Sequence, residues 1–339
     1  MLAAYTELKN AEKVKQYLLK HQLLHPDYLP QKELSLIYFP LKKKVKIPLA
    51  KTTNTKFTFP QRERTITIDD LLKKELTPKQ FSLLPRSQEI VGSIMILEIP
   101  EELKRKEKEI ALAYLKINKH ITTVVKKDKI HSGIFRTRTV KYLAGQRTKE
   151  TVHLENGVRI KLHLEKTYFS ARSANERLRL AQQVKKGEEI LVMFSGAAPF
   201  PLVLSKNSPA KNIVGIEINP LAHQYALENI KLNNLKNIII YEGDVLRVIP
   251  KLRRKFDRIA MPLPKTGEQF LGLALKKSKP GTIIHLYDFL SEEEFAKQRK
   301  VIQGISKSEN HNIKIIRTVK CGQFSPKVFR VCFDIKVLS

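Results

Sequence analysis

The segment EEILVMFSGAAPF, residues 188–200, is an apolar strand that runs into a short turn containing one glycine, Gly196. Glu217 closes the next apolar run, 21 residues after Gly196. In a parallel α/β sheet this spacing lets the turn's backbone approach a bound nucleoside while the carboxylate accepts its two ribose hydroxyls. The diphosphate of a dinucleotide asks for three glycines, and here Ala198 and the region of Leu202 stand in the later places. That argues against a nicotinamide cofactor and for one lacking a pyrophosphate, a description that S-adenosylmethionine meets. A plain βα turn beside a surface carboxylate shares the same pattern.

Two further loops fall where such a sheet gathers its chemistry. Asn219 is a good N-cap and Pro220 a good first helical residue, so a helix starting there holds Glu217 and Ile218 at the strand's carboxyl end. Ala222, Ala226 and Ile230 then recur at helical spacing and face the sheet. Asp244 follows the third strand and could accept from an adenine amino group, with Val245 as an apolar neighbour; a solvated loop carboxylate fits equally well. Met261-Pro262-Leu263-Pro264-Lys265 follows the fourth strand, and its two prolines stiffen the place where a target base would sit.

The elements that must position these residues form an alternating series after Lys166. Strands are expected at Glu189–Phe194, Asn212–Ile218, Asn237–Tyr241, Phe256–Met261 and Thr282–Tyr287, giving a parallel doubly wound sheet. Ile313–Thr318 and Val328–Val337 would close one edge as an antiparallel hairpin. Upstream, residues 65–170 mix strands at Ile90–Ile99, Thr151–Leu154 and Val158–Leu164 with a helix over Glu101–Lys116, and Asn156-Gly157 marks a hairpin turn. Residues 11–24 read as a helix and 35–42 as a strand, a small separate unit. The basic, threonine-rich stretch from Lys43 to Arg64 reads as a linker, with a boundary near residue 60. The expected domains are thus 1–60, 61–170 and 171–339.

The 339 residues carry 63 Lys and Arg against 33 Asp and Glu, a net charge of +30, while 42% are hydrophobic. A chain of that kind buries a core and still attracts a polyanion, nucleic acid first. A thermophilic or otherwise biased composition is the competing explanation. No run of about 18 apolar residues occurs, and MLAAYTELKNAEK lacks the features of a signal peptide, so a cytoplasmic protein without membrane association is expected. Cys321 and Cys332 are the only cysteines, too few for a disulfide framework, and no zinc-ligand spacing occurs, so no metal is expected.

FRTRTVKYLAG (135–145), ENGVRIKLHLEKTYFSARSANERLR (155–179), FSGAAPF, EINP and MPLPK, in this order, resemble the archaeal and eukaryotic tRNA (guanine-37-N1)-methyltransferase family along essentially the whole chain. The resemblance implies a Rossmann-like S-adenosylmethionine methyltransferase domain behind two smaller N-terminal α+β domains, acting on tRNA; a monomer is expected. It implies Glu176 as acceptor of the guanine N1 proton and Arg136 as the cation facing O6. Phe194, Gly196, Ala198, Phe200, Glu217, Ile218, Asp244, Val245 and Pro262 would hold the cofactor. Tyr168, Arg172, Arg177, Leu263, Pro264 and Lys265 would meet the RNA. Val192, Ala198 and Pro262 depart from the family pattern; the loss of an Asn at Pro262 matches the archaeal branch responsible for wyosine-type bases, some of whose enzymes also methylate C7 of 4-demethylwyosine. A base methyltransferase for another RNA and a non-catalytic tRNA-binding protein remain the alternatives.

Overall fold

The computed structural model describes residues 1–62, 66–132, 135–262 and 266–339, of which 129–132 by backbone alone. It divides into two compact units, Met1–Leu71 and Leu72–Ser339.

In the first unit the helix Ala11–Lys20 forms where its apolar spacing predicts and buries Val14 and Leu18. Beside it lies a sheet of four strands, β1 (Leu2–Glu7), β2 (Gln31–Glu33), β3 (Leu36–Pro40) and β4 (Lys51–Asn54), in the order β2-β3-β1-β4. The expected linker is therefore partly strand: β4 pairs antiparallel with β1, with Ala3 opposite Thr53. Its β-branched threonines suit a half-exposed edge, and its lysine discourages further pairing there. The chain beyond also folds back, since the Leu29 N–H donates to the Pro60 carbonyl at 2.8 Å.

The second unit begins with strands β5 (Gln88–Val91), β6 (Ile94–Leu97), β7 (Thr123–Ser132) and β8 (Thr137–Gly145) in sequential order. The single strand expected over Ile90–Ile99 is broken by Gly92 at φ +56°, which turns the chain into a hairpin. The expected helix opens as a 3-10 segment, Glu101–Lys106, and continues as the α-helix Glu107–Ile117, burying Ile110, Ala113 and Tyr114. β9 (Glu150–Glu155) and β10 (Val158–His163) pair antiparallel around Asn156 and Gly157, both at positive φ as a tight hairpin turn requires.

The remaining strands are β11 (Glu189–Met193), β12 (Asn212–Glu217), β13 (Ile238–Glu242), β14 (Phe256–Met261), β15 (Ser278–Leu290), β16 (Ile313–Ser325) and β17 (Val328–Val337). They form one sheet in the order β13-β12-β11-β14-β15-β17-β16, the first five parallel and the last two antiparallel to their neighbours. Both faces are covered, as the unbroken apolar runs demand. In β11, Ile190 and Val192 enter one core, and Leu191 and Met193 the other. The strand order reverses beside β11, so the crevice of the sheet opens at the carboxyl ends of β11, β12 and β14. Among the described residues no helix is long and apolar enough to cross a membrane.

One device ties β10 to the helix that follows β12. The helix Pro220–Leu232 presents Asn229, fully buried, whose Oδ1 accepts from the Lys161 N–H at 2.7 Å and whose Nδ2 donates to the carbonyls of Lys161 at 2.9 Å and Ala197 at 3.0 Å. One turn later Asn233 does the same for the Arg159 N–H at 2.8 Å and carbonyl at 2.7 Å. The two amides stand in for a neighbouring strand along the edge of β10, and Asn229 also tethers the glycine-bearing turn. Asn229→Ala leaves these buried groups without partners and is expected to cost about 2–3 kcal/mol in urea unfolding at unchanged m, against about 1 kcal/mol or less for the half-buried Asn233→Ala.

Candidate functional site

Glu217 ends β12 and is 8% exposed. Its Oε2 accepts from the Gly196 N–H at 2.6 Å and its Oε1 from the Asn219 N–H at 2.8 Å. Burial pushes this carboxyl up, and the backbone donors only partly offset that. Asn219 caps the following helix as expected, accepting from the Leu221 N–H at 3.1 Å, while its Nδ2 donates to the Lys166 carbonyl at 2.7 Å. The turn from β11 places Phe194, Gly196 and Ala198 all in the left-handed region, at φ +60°, +58° and +66°. For the two residues with side chains this costs of order 1 kcal/mol each, strain of the kind that accumulates at binding loops. Hydrogen bonds from both sides hold it: the Ser195 N–H donates to the Ile216 carbonyl at 2.8 Å, and Asn229 grips Ala197.

Around this turn lies a cleft where Glu217, Ile218, Asp244, Val245, Phe270 and Arg136 meet. Asp244 spends one oxygen capping a short helix, accepting from the Leu246 N–H at 2.9 Å, and Val245 is buried. Arg136 sits at positive φ and donates through Nη2 to Thr266 Oγ1 at 3.0 Å. A second, much smaller cavity is lined by Glu176, Arg177, Phe200, Tyr287, Ser173 and Arg330. Tyr168, Phe194, Gly196 and Pro262 line both, so the two adjoin at these four residues.

Most of the expected residues are thus brought together, with corrections. Phe200 belongs to the second cavity instead of the cleft, and Ala198 lines neither, its side chain being buried in the core. Arg136 and Glu176 line different cavities. Arg172 lies exposed on the turn Ala171–Ser173 and lines neither. Arg177 is 3% exposed; its Nε and Nη2 donate to the two oxygens of Glu155 at 2.5 Å each, and it lies over the Phe169 and Phe200 rings. It ties the helix Ala174–Ala181 to β9 and has no donor fork left to offer an RNA phosphate. Leu263, Pro264 and Lys265 lie outside the described residues.

The sequence reading missed what surrounds Glu176. Its Oε2 accepts from Arg179 Nε at 2.7 Å, and its Oε1 accepts from Arg179 Nη2 and from the Tyr287 hydroxyl, each at 2.7 Å. Arg179 donates onward to Asp334 at 2.8 Å through Nη1, Asp334 meets His285 Nδ1 at 2.6 Å, and His285 Nε2 meets Arg258 Nη1 at 2.8 Å. Arg258 in turn donates to Glu188 at 2.8 Å. Burial by itself would raise the Asp334 carboxyl, but the donors His285 and Arg179 outweigh it and hold it well below the usual carboxylate range. Burial lowers His285 against the pull of Asp334, so its partners see a neutral ring with the proton on Nδ1. His285, Cys332 and Asp334 lie within ligand distance of one another, but the guanidinium groups of Arg179 and Arg258 already supply the positive charge there. The only sequence signal was the three-residue spacing of Glu176 and Arg179, a helical ion-pair pattern that is common on any surface.

The TRM5/TYW2 methyltransferase domain profile matches residues 151–316, the TYW2 N-terminal domain residues 68–148, and the tRNA methyltransferase 5 N-terminal domain residues 6–49. Among curated proteins, the tRNA (guanine(37)-N(1))-methyltransferase Trm5b of Pyrococcus abyssi is 35% identical over 75% of this chain and 76% of its own. The tRNA (guanine(37)-N(1))/4-demethylwyosine(37)-methyltransferase Taw22 of Nanoarchaeum equitans is 30% identical over 74% of this chain and 100% of its own. The crystal structure of Trm5b from Pyrococcus abyssi superposes with a TM-score of 0.78 at 31% identity, covering 100% of both chains. That of Pyrococcus horikoshii TYW2 in complex with MeSAdo gives 0.69 at 26% identity, over 80% of this chain and 98% of that one.

The burial of Arg177 and the exposure of Arg172 predict opposite phenotypes. Arg177→Met strands Glu155 as an unpaired buried charge and is expected to lower unfolding free energy by about 3–5 kcal/mol. Arg172→Ala should stay within about 0.5 kcal/mol of the parent. Denaturant unfolding of both variants checks the pair.

Proposed function

The chain belongs to the TRM5/TYW2 methyltransferase family, and from that premise we propose that it methylates N1 of guanosine at tRNA position 37, and C7 of 4-demethylwyosine at the same nucleotide, using S-adenosylmethionine. The observation that carries this reading is the junction of the two cavities at Tyr168, Phe194, Gly196 and Pro262, with Glu217 on one side and Glu176 on the other. On this reading the protein acts as a cytoplasmic monomer, the three domains are residues 1–60, 61–170 and 171–339, and the first docks tRNA. The charge of +30 supports a polyanionic partner.

The cleft suits a nucleoside sulfonium. Backbone N–H groups of Gly196 and Asn219 take lone-pair sites of Glu217 and that of Ile218 also bears on it, which leaves acceptor capacity for a ribose hydroxyl, and a buried carboxyl that burial pushes up gains from such a donor. Among the described residues Ser195 Oγ, in the wall of the second cavity, is buried without a hydrogen-bond partner, as a group awaiting a ligand would be. S-adenosylmethionine supplies an electrophilic methyl group when bound. Everything else falls to the chain. Guanine N1 bears a hydrogen at neutral pH and must lose it to become a nucleophile, and Glu176 is the carboxylate in the second cavity placed to take it. Negative charge then grows on O6, where Arg136, reaching from the adjoining cleft, supplies the compensating cation.

Pro262 bears on the second substrate. A proline at the junction offers neither a side-chain amide nor a backbone N–H, so the base there is read by shape and stacking more than by its hydrogen-bonding edge. A site without a committed polar partner discriminates weakly between guanine and a larger tricyclic derivative. The proton lost during C7 methylation leaves from carbon, so Glu176 matters less there than for N1.

Two measurements test this. Glu217→Ala should weaken cofactor binding roughly tenfold or more in calorimetry, the worth of about 1.5–3 kcal/mol for hydrogen bonds to a charged group. Nucleoside mass spectrometry of tRNA incubated with protein and cofactor should show N1-methylguanosine from the unmodified transcript and a C7-methylated tricycle from tRNA carrying 4-demethylwyosine. An aminocarboxypropyl product, or methylation only at another nucleotide, would overturn the reading.

A further inference from the structure

Resting on the methyl transfer proposed above, we infer that Glu176 serves as a base through a single oxygen, Oε2, and that Arg179, Tyr287 and Asp334 are positioning residues that make it so. A carboxylate oxygen has two lone-pair directions. Among the described residues, Oε1 has both filled, by Arg179 Nη2 and the Tyr287 hydroxyl, whereas Oε2 accepts only from Arg179 Nε. One acceptor direction is left on a carboxylate that lines the second cavity, and it belongs to Oε2.

The clamp on Glu176 is itself clamped. Arg179 cannot swing away, because its Nη1 and Nη2 also donate to Asp334 at 2.8 and 3.2 Å, and Asp334 is fully buried on β17. Asp334 is held in turn by the Nδ1–H of His285, opposite it across the β15–β17 ladder. Tyr287 is buried with its ring against Phe200, so its hydroxyl approaches Oε1 from a fixed direction. The titratable and charged groups around Glu176 are therefore Arg179 on its own helix, Tyr287 on β15 and Cys332 on β17, with Arg177 and Arg330 lining the same cavity and Asp334, His285 and Cys321 one contact further out. A carboxylate held this way keeps one lone pair aimed at its target before the base arrives, which is where orientation contributes to rate.

As N1 forms its bond to the methyl carbon, the carbon–sulfur bond breaks with its electron pair staying on sulfur, and the N1 proton passes to Oε2. Because Oε1 stays occupied by its two donors, the protonated acid retains its place and returns its proton to water after product leaves.

Arg179→Lys keeps the charge but loses the fork, and Tyr287→Phe keeps the ring but loses the donor. Each is expected to lower the single-turnover rate for guanosine roughly ten- to hundredfold, less than the roughly 10²–10⁴ that a general base itself contributes, with tRNA and cofactor affinities unchanged within about twofold. In a Glu176→Gln background the same substitutions should change the rate by less than about twofold, because the group they orient is gone. A merely structural role would multiply the losses in that background, and this, or parental rates for both single variants, overturns the inference. A parental rate for Glu176→Gln alone would instead refute Glu176 as base, a separate failure. Melting temperatures establish folding, and Tyr287→Phe alone completes the cycle if Arg179→Lys does not fold.

Discussion

The bridge from Arg179 to both Glu176 and Asp334 is the contact on which the rest of the site depends. It joins the helix Ala174–Ala181 to the last strand of the sheet, across 155 residues of chain. Buried charges are costly to desolvate, and an isolated one would neutralise or unfold its surroundings. Here the chain from Glu188 through Arg258, His285, Asp334 and Arg179 to Glu176 alternates in sign or polarity, so each member is met by donors or acceptors on both sides. Such a network adds little net stability over apolar packing, but it tolerates few other arrangements and so fixes geometry.

A second constraint operates on the other side of the crevice. The turn after β11 needs three left-handed residues in five, and only one of them is glycine. That turn persists because its backbone groups are claimed from several directions, by Glu217 at Gly196, by the Ile216 carbonyl at Ser195 and by Asn229 at Ala197. Glu217 consequently has two duties, bracing the turn and presenting its remaining lone pairs to the cleft. The departures at Val192 and Ala198 are absorbed without disturbing this: Val192 packs wholly within the core beneath the sheet, and Ala198 buries its methyl group there.

Arg177 and Arg179, two residues apart on one helix, show how little local pattern says about role. Arg177 is consumed by Glu155 on β9, and Arg179 by Glu176 and Asp334. Arg172, on the preceding turn, remains exposed. Three arginines close in sequence thus have three different environments, and only the partners' positions in space distinguish them.

What the sequence by itself determined is what local periodicity and capping encode. The parallel strands, the antiparallel closing hairpin, the Asn219 and Pro220 helix start, the Asn156-Gly157 turn and the place of Glu217 beside Gly196 all follow from spacings of a few residues or from strand alternation. The threonine-rich stretch after Lys43 misled because an edge strand with one wet face has linker-like composition. Tertiary structure alone decided which oxygen of Glu176 is left open, that Phe200 faces the second cavity, that Arg177 is a brace, and that Asn229 and Asn233 act as a surrogate strand. Hydrogen bonds and ion pairs have no periodicity along the chain. Their partners come from elements brought together by apolar burial, so a charged residue's role emerges only once the sheet has closed around it.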